Sequence, residues 1–137
     1  MNTETAPLRW EDLPQRLHDF AAERAWQPFH APKNLASALI VEAGELLEHF
    51  QWLTEDQSRA LAQPGPAKDA VAAEMADVLL YLVRLADRLE VDLAAAARAK
   101  MRKNARRYPA ARVRGSSRKY TAYRRAARRG SRRGQAR

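Results

Sequence analysis

Residues 67–89 read AKDAVAAEMADVLLYLVRLADRL, a run without glycine or proline. Val71, Met75, Val78, Leu79, Leu82, Leu85, Ala86 and Leu89 recur along it at helical spacing, which predicts one long amphipathic helix. The stretch from about Asn34 to Leu53 repeats the pattern, with Leu35, Leu39, Ala43, Leu46, Leu47 and Phe50 on its apolar side. Upstream, a helix from Asp12 or Pro14 to about Trp26 is marked by Leu13, Leu17, Phe20 and Ala21, with proline tolerated in the first turn. Downstream, a fourth helix follows Asp92, a natural N-cap, and fades before Pro109. Pro28 and Pro32 lie in the loop between the first two helices. Thr54 to Pro66 is the long connection between the second and third, closed by Pro64-Gly65-Pro66. No run alternates with the period of a strand, so the expected class is all-α.

The 137 residues carry 25 Lys and Arg against 16 Asp and Glu, but the charge is unevenly divided. Residues 1–99 hold 9 basic and 16 acidic side chains; residues 100–137 hold 16 basic and none acidic. An acidic body therefore carries a basic tail. From Arg124 onward only Arg, Ala, Gly, Ser and Gln occur, a composition unable to bury enough apolar surface to offset ordering. The expected division is one domain over residues 1–121 and a disordered Arg-rich tail over residues 122–137. The sixteen basic residues of 100–137 would hold nucleic-acid phosphates by counterion release, without sequence preference, with Tyr108, Tyr120 and Tyr123 interleaved for stacking. Cysteine is absent, which excludes disulfide scaffolds, zinc fingers, iron–sulfur sites and thiol nucleophiles. No apolar run approaches the length of about 18 residues needed to span a bilayer, and the first residues lack a signal-peptide pattern, so a cytoplasmic protein without a membrane partner is expected.

Two acid-x-x-acid pairs stand out: Glu42-Ala-Gly-Glu45 on the second helix and Glu74-Met-Ala-Asp77 on the third. Spacing of i, i+3 puts both carboxylates of each pair on one face. Such pairs are common on solvated helices. These two are set in apolar runs and have no Lys or Arg at helical-neighbour positions. Four carboxylates on facing apolar helices repel one another and call for a cation. Oxygen donors alone suit Mg²⁺ or Mn²⁺. A di-iron bundle would require Glu-x-x-His on two helices, whereas His18, His30 and His49 follow Gln15, Gln27 and Leu46. There is also no phosphate-binding Gly-x-x-x-x-Gly-Lys-Ser/Thr loop. The ridges continue as His49 and Trp52 beyond Glu45, and as Tyr81 beyond Asp77; Trp52 and Tyr81 are suited to border a flat ring. Lys100, Asn104 and Arg107 share one face of the fourth helix and suit a polyphosphate. What remains is metal-assisted attack of water on a phosphate ester or anhydride.

The pairs Glu42-x-x-Glu45 and Glu74-x-x-Asp77 resemble the acid motif of the all-α nucleoside triphosphate pyrophosphohydrolases, the MazG-like superfamily, and within it the dCTP pyrophosphatase branch. Phe50-Gln51-Trp52, Asp77-Val-Leu-x-Tyr81-Leu82, Lys100-Met101-x-x-Asn104 and Arg107-Tyr108-Pro109 support the likeness, which spans about Leu13 to Thr121. The resemblance implies a four-helix bundle protomer assembled as a homodimer or homotetramer, with sites completed across subunits. It implies Mg²⁺-dependent hydrolysis of a nucleoside triphosphate, dCTP or a modified dCTP, to the monophosphate and pyrophosphate. Glu42, Glu45, Glu74 and Asp77 would hold the metal and carry the chemistry, with Glu45 accepting the water's proton. Trp26, His30, Trp52 and Tyr81 would surround the base, and Lys100, Asn104 and Arg107 would take the outer phosphates. In relatives a base-contacting His stands where this chain has Leu17, and His18 is one place off. The alternatives are another pyrophosphate-bond hydrolase, a broad-specificity one, or a nucleic-acid-binding protein acting through its tail.

Overall fold

A computed structural model describes residues 7–115. The Arg-rich tail at 122–137, with Tyr120, Thr121 and Tyr123, lies outside the described residues. Among the described residues all regular structure is helical. The long elements are α1 (Leu13–Glu23), α2 (Pro32–Glu48), α4 (Pro66–Arg88) and α5 (Leu93–Arg107), which correspond to the four expected helices. Two short ones, α3 (Glu55–Ala60) and α6 (Ala110–Val113), were not anticipated. No described helix is long and apolar enough to cross a membrane.

The chain divides into two compact units after Asp92. In the first, α4 is the central element: α2 packs along it, and α1 packs against it as well. Its core is small, formed by Leu13 and Ala21 of α1, Leu35 of α2, and Val71, Val83 and Ala86 of α4. The buried face of α4 thus departs from the expected stripe. Met75, Leu82 and Leu89 are exposed, while Val83 and a charged residue, Arg84, are enclosed. The second unit holds α5 and α6; Lys100, Asn104 and Arg107 share one exposed face of α5, and the Asn104 carbonyl accepts the Tyr108 N–H at 2.8 Å.

Helix boundaries follow local chemistry. Prolines stand at the first positions of α2 and α4, where an N–H is not needed. Gly65 precedes α4 at φ +151°, a conformation that side-chain-bearing residues rarely adopt. The second helix ends at Glu48, not at Leu53. Phe50 N–H bonds to the Leu47 carbonyl, Leu53 N–H to that of Phe50, and these tight turns deliver the chain to Thr54 at ψ 165°. Thr54 then caps α3: its N–H donates to Gln57 Oε1 at 2.8 Å while the Gln57 N–H donates to Thr54 Oγ1 at 3.3 Å. This reciprocal cap is encoded by Thr-x-x-Gln, a start signal inside the segment expected to be irregular.

Two helices end on the same motif. At α1, Trp26 N–H reaches the Ala21 carbonyl and Ala25 N–H that of Ala22; at α4, Val91 N–H reaches Ala86 and Glu90 N–H reaches Asp87. The pivot residues, Ala25 and Glu90, take φ of 52° and 54°. Left-handed backbone costs a non-glycine residue about 1 kcal/mol. Glu90→Gly is therefore expected to stabilise the chain by about 1 kcal/mol in urea denaturation; an unchanged midpoint would show that the turn carries no strain.

Candidate active site

The α2–α4 pairing brings the acid motifs together. Carboxylate oxygens of Glu42, Glu45 and Glu74 lie within 4.8 Å of one another. Glu42 and Glu74 are half-buried and Glu45 is exposed. Glu74 Oε2 is sealed from solvent and has no hydrogen-bond partner. Among the described residues, none of these three, nor Asp77, forms an ion pair. The Glu42 carboxyl is held above its usual range, first by desolvation and then by the charges of Glu45, Asp77 and Glu74. Asp77 is exposed and stands outside the tight trio, yet its charge is felt at Glu42.

This arrangement fits a hard divalent cation: the donors are all oxygen, no protein cation neutralises them, and one buried oxygen lacks a partner. It also has a consequence for stability. A carboxyl whose pKa is raised by folding binds more protons in the folded than in the unfolded state. Stability of the metal-free chain is then expected to fall as pH rises from Glu42's ordinary value of 4.5 through its raised folded value. Melting curves across that window, repeated for Glu42→Gln, should show the slope in the parent chain and its loss in the variant.

Bordering Asp77 is a cavity of about 260 Å³ in the first unit. Leu17, Phe20, Trp26 and Leu35 supply much of its wall, and α4 contributes Asp77, Tyr81 and Arg84. These three follow at steps of four and three and so occupy one ridge. The α1 terminal turn places Trp26: its ring meets Phe20 edge-on at 5.8 Å and lies 6.0 Å from the His30 ring at a tilt of 60°. Arg24 closes over the Phe20 ring at 3.5 Å and donates to the Phe20 carbonyl. His30, which also lines the cavity, sits in the loop before α2, where Arg88 Nε donates to its carbonyl at 3.2 Å.

Of the residues singled out by sequence, the structure groups Glu42, Glu45 and Glu74 in one cluster. It groups Trp26, His30, Tyr81 and Asp77 around the adjoining cavity. Trp52 is not carried on the α2 ridge, because the helix has ended; it is 86 % exposed and stands outside the cavity lining. Lys100, Asn104 and Arg107 belong to the second unit. Leu17 gives the cavity an apolar wall, while His18 turns to Arg84 and Asp87. Arg84 was missed. It is 3 % exposed, and its guanidinium donates to Asp87 Oδ2 at 2.5 Å and to His30 Nδ1 at 3.3 Å. The available signal was its place on the Asp77–Tyr81 ridge with an acid three residues on.

Comparison with known proteins agrees with this geometry. The chain is 51 % identical over 118 residues to dCTP pyrophosphatase 1 of Homo sapiens, covering 81 % of this chain and 65 % of that protein. Against the Bos taurus protein of the same name it is 45 % identical over 125 residues, covering 87 % and 74 % respectively. The chain thus spans just under two thirds of the length of the human relative. Among solved structures, a pyrophosphatase from Archaeoglobus fulgidus DSM 4304 superimposes with a TM-score of 0.67 at 40 % identity, covering 76 % of this chain and 95 % of that one. The MazG-like family profile matches residues 38–122, which include both acid pairs, and the chain belongs to the MazG-like family.

Proposed function

We propose that this protein hydrolyses nucleoside triphosphates, dCTP or a modified dCTP foremost, to the monophosphate and pyrophosphate, and so clears the nucleotide pool. The observation that carries the reading is the carboxylate cluster with its unpartnered Glu74 Oε2 beside an aromatic cavity, the two joined through Asp77. Likeness to proteins named dCTP pyrophosphatase 1 supports the choice of substrate.

Glu42, Glu45, Glu74 and Asp77 would hold Mg²⁺, with Mn²⁺ as a substitute. The bound cation supplies neutralisation of the triphosphate's charge and polarisation of its oxygens. Glu45, the exposed member of the tight trio, accepts the proton of water attacking the α-phosphorus. Trp26 and Tyr81 flank the base, with His30 at its edge; Trp52 is a further base-binding residue in this reading. Lys100, Asn104 and Arg107 are the phosphate-binding side chains of α5. Apolar residues left exposed by a single copy, among them Ile40, Val41, Leu47 and Met75, support burial in a homodimer or homotetramer of four-helix protomers. Residues 1–121 constitute the catalytic domain of this reading, and the tail at 122–137 is an accessory segment holding nucleic acid non-specifically.

The test is pyrophosphate release from a panel of NTPs, dNTPs and 5-modified dCTPs, with Mg²⁺ and with EDTA. Metal-dependent release favouring cytosine nucleotides is expected. No release from any nucleotide overturns the proposal.

A further inference from the structure

Among the described residues, Arg84 is the one charged side chain in the core of the first unit, and its three nitrogens are accounted for differently. Nη1 lies 2.5 Å from Asp87 Oδ2 and 3.4 Å from His18 Nδ1. Nε donates to His30 Nδ1 at 3.3 Å. Nη2 is sealed from solvent without a partner. Asp87 already neutralises the guanidinium, so the group is not set up to take an anionic ligand. A buried cation with an unmet donor weakens the fold relative to an apolar side chain of similar size. Its remaining contact is the one with His30.

That contact decides the state of His30. A guanidinium does not give up its proton and has no acceptor, so Nδ1 of His30 must be the unprotonated nitrogen. The imidazole proton is then confined to Nε2. We propose that Arg84 is a positioning residue for the cavity: by donating Nε–H to His30 Nδ1, it fixes His30 as the neutral Nε2–H tautomer, a donor for the ring nitrogen or 2-carbonyl of a cytosine. The identity of that acceptor rests on the proposed function; the tautomer does not.

The surroundings act in the same sense. The charged and titratable groups around His30 include Arg84, Arg88, Asp87, Tyr81 and Asp77 from α4 and His18 from α1, while α2 contributes the apolar Leu35 to the same cavity. Burial, then the charges of Arg84 and Arg88, hold the His30 pKa below its ordinary 6.5. A neutral His30 presents one donor and no competing charge. It favours a base with an acceptor at that edge over one that places an N–H there, because opposed donors would both be stranded.

Proton–nitrogen correlation spectra of the ¹⁵N-labelled full chain, with His30 assigned through His30→Gln, test the tautomer directly. The expected result is a bare Nδ1 and a protonated Nε2 that persist at pH 6.5. A protonated Nδ1, or a charged ring at that pH, in the parent chain overturns the proposal whether or not Arg84 variants fold. In Arg84→Met the ring should lose its fixed tautomer and titrate nearer its ordinary value. KM for dCTP should rise about tenfold, with a smaller change in kcat. Arg84→Lys, which restores a donor, should recover part of both. Folded Arg84 variants with an unaltered His30 signature overturn the assignment. A parent chain showing the Nε2–H signature but hydrolysing no nucleotide upholds the Arg84–His30 pairing and overturns the functional reading with its cytosine.

Discussion

Glu74→Gln is expected to lower triphosphate hydrolysis by about a thousandfold while raising the melting temperature of the metal-free chain. The two effects have one origin. Glu74 brings a carboxylate oxygen into the α2–α4 contact with no partner, within 4.8 Å of oxygens from Glu42 and Glu45. A neutral amide of the same shape removes one like charge and gains N–H donors toward its neighbours, so the empty cluster relaxes. The same change withdraws a charged oxygen from the cation the cluster is proposed to hold. Steady-state pyrophosphate release and thermal melts with and without Mg²⁺ separate the effects. Mg²⁺ should stabilise the parent chain and do little for the variant. A variant that loses activity and stability together would mean that Glu74 supports the fold rather than the chemistry.

Trp26→Ala is the second large effect. Stacking of an aromatic side chain on a base contributes about 1–3 kcal/mol, so KM for dCTP should rise about tenfold to a hundredfold. The ring is 43 % exposed and meets only the Phe20 and His30 rings, so the cost to stability should be small. Trp10→Ala, in the turn before α1 and outside the cavity, is the matched control and should leave KM unchanged. Equal KM in both variants would place the base elsewhere.

Much of the architecture was legible from periodicity, because α1, α2 and α4 each carry an apolar side and a proline in the first turn. What periodicity left open was which apolar side a single chain covers. On α4, Met75, Leu82 and Leu89 satisfy the spacing as well as Val83 and Ala86 do, yet only the latter two are enclosed. The end of α2 was misread because Phe50, Trp52 and Leu53 continue its apolar spacing; the competing signal was Thr54, whose cap requires an extended backbone. In the candidate site, the carboxylates stood out by lacking basic neighbours and Tyr81 by continuing their ridge, whereas Trp26 and His30 came from the family resemblance alone. Arg84 did not, since an arginine beside an apolar stripe reads as a solvated edge until its contacts with His18, His30 and Asp87 are seen.

Asp77 belongs to two neighbourhoods at once: its charge reaches Glu42, and its side chain borders the aromatic cavity. Any occupant at one end therefore alters the free energy of occupying the other. By thermodynamic reciprocity, the factor by which a cation tightens nucleotide binding equals the factor by which the nucleotide tightens the cation. In the proposed reading, the two ligands would be linked through this one carboxylate.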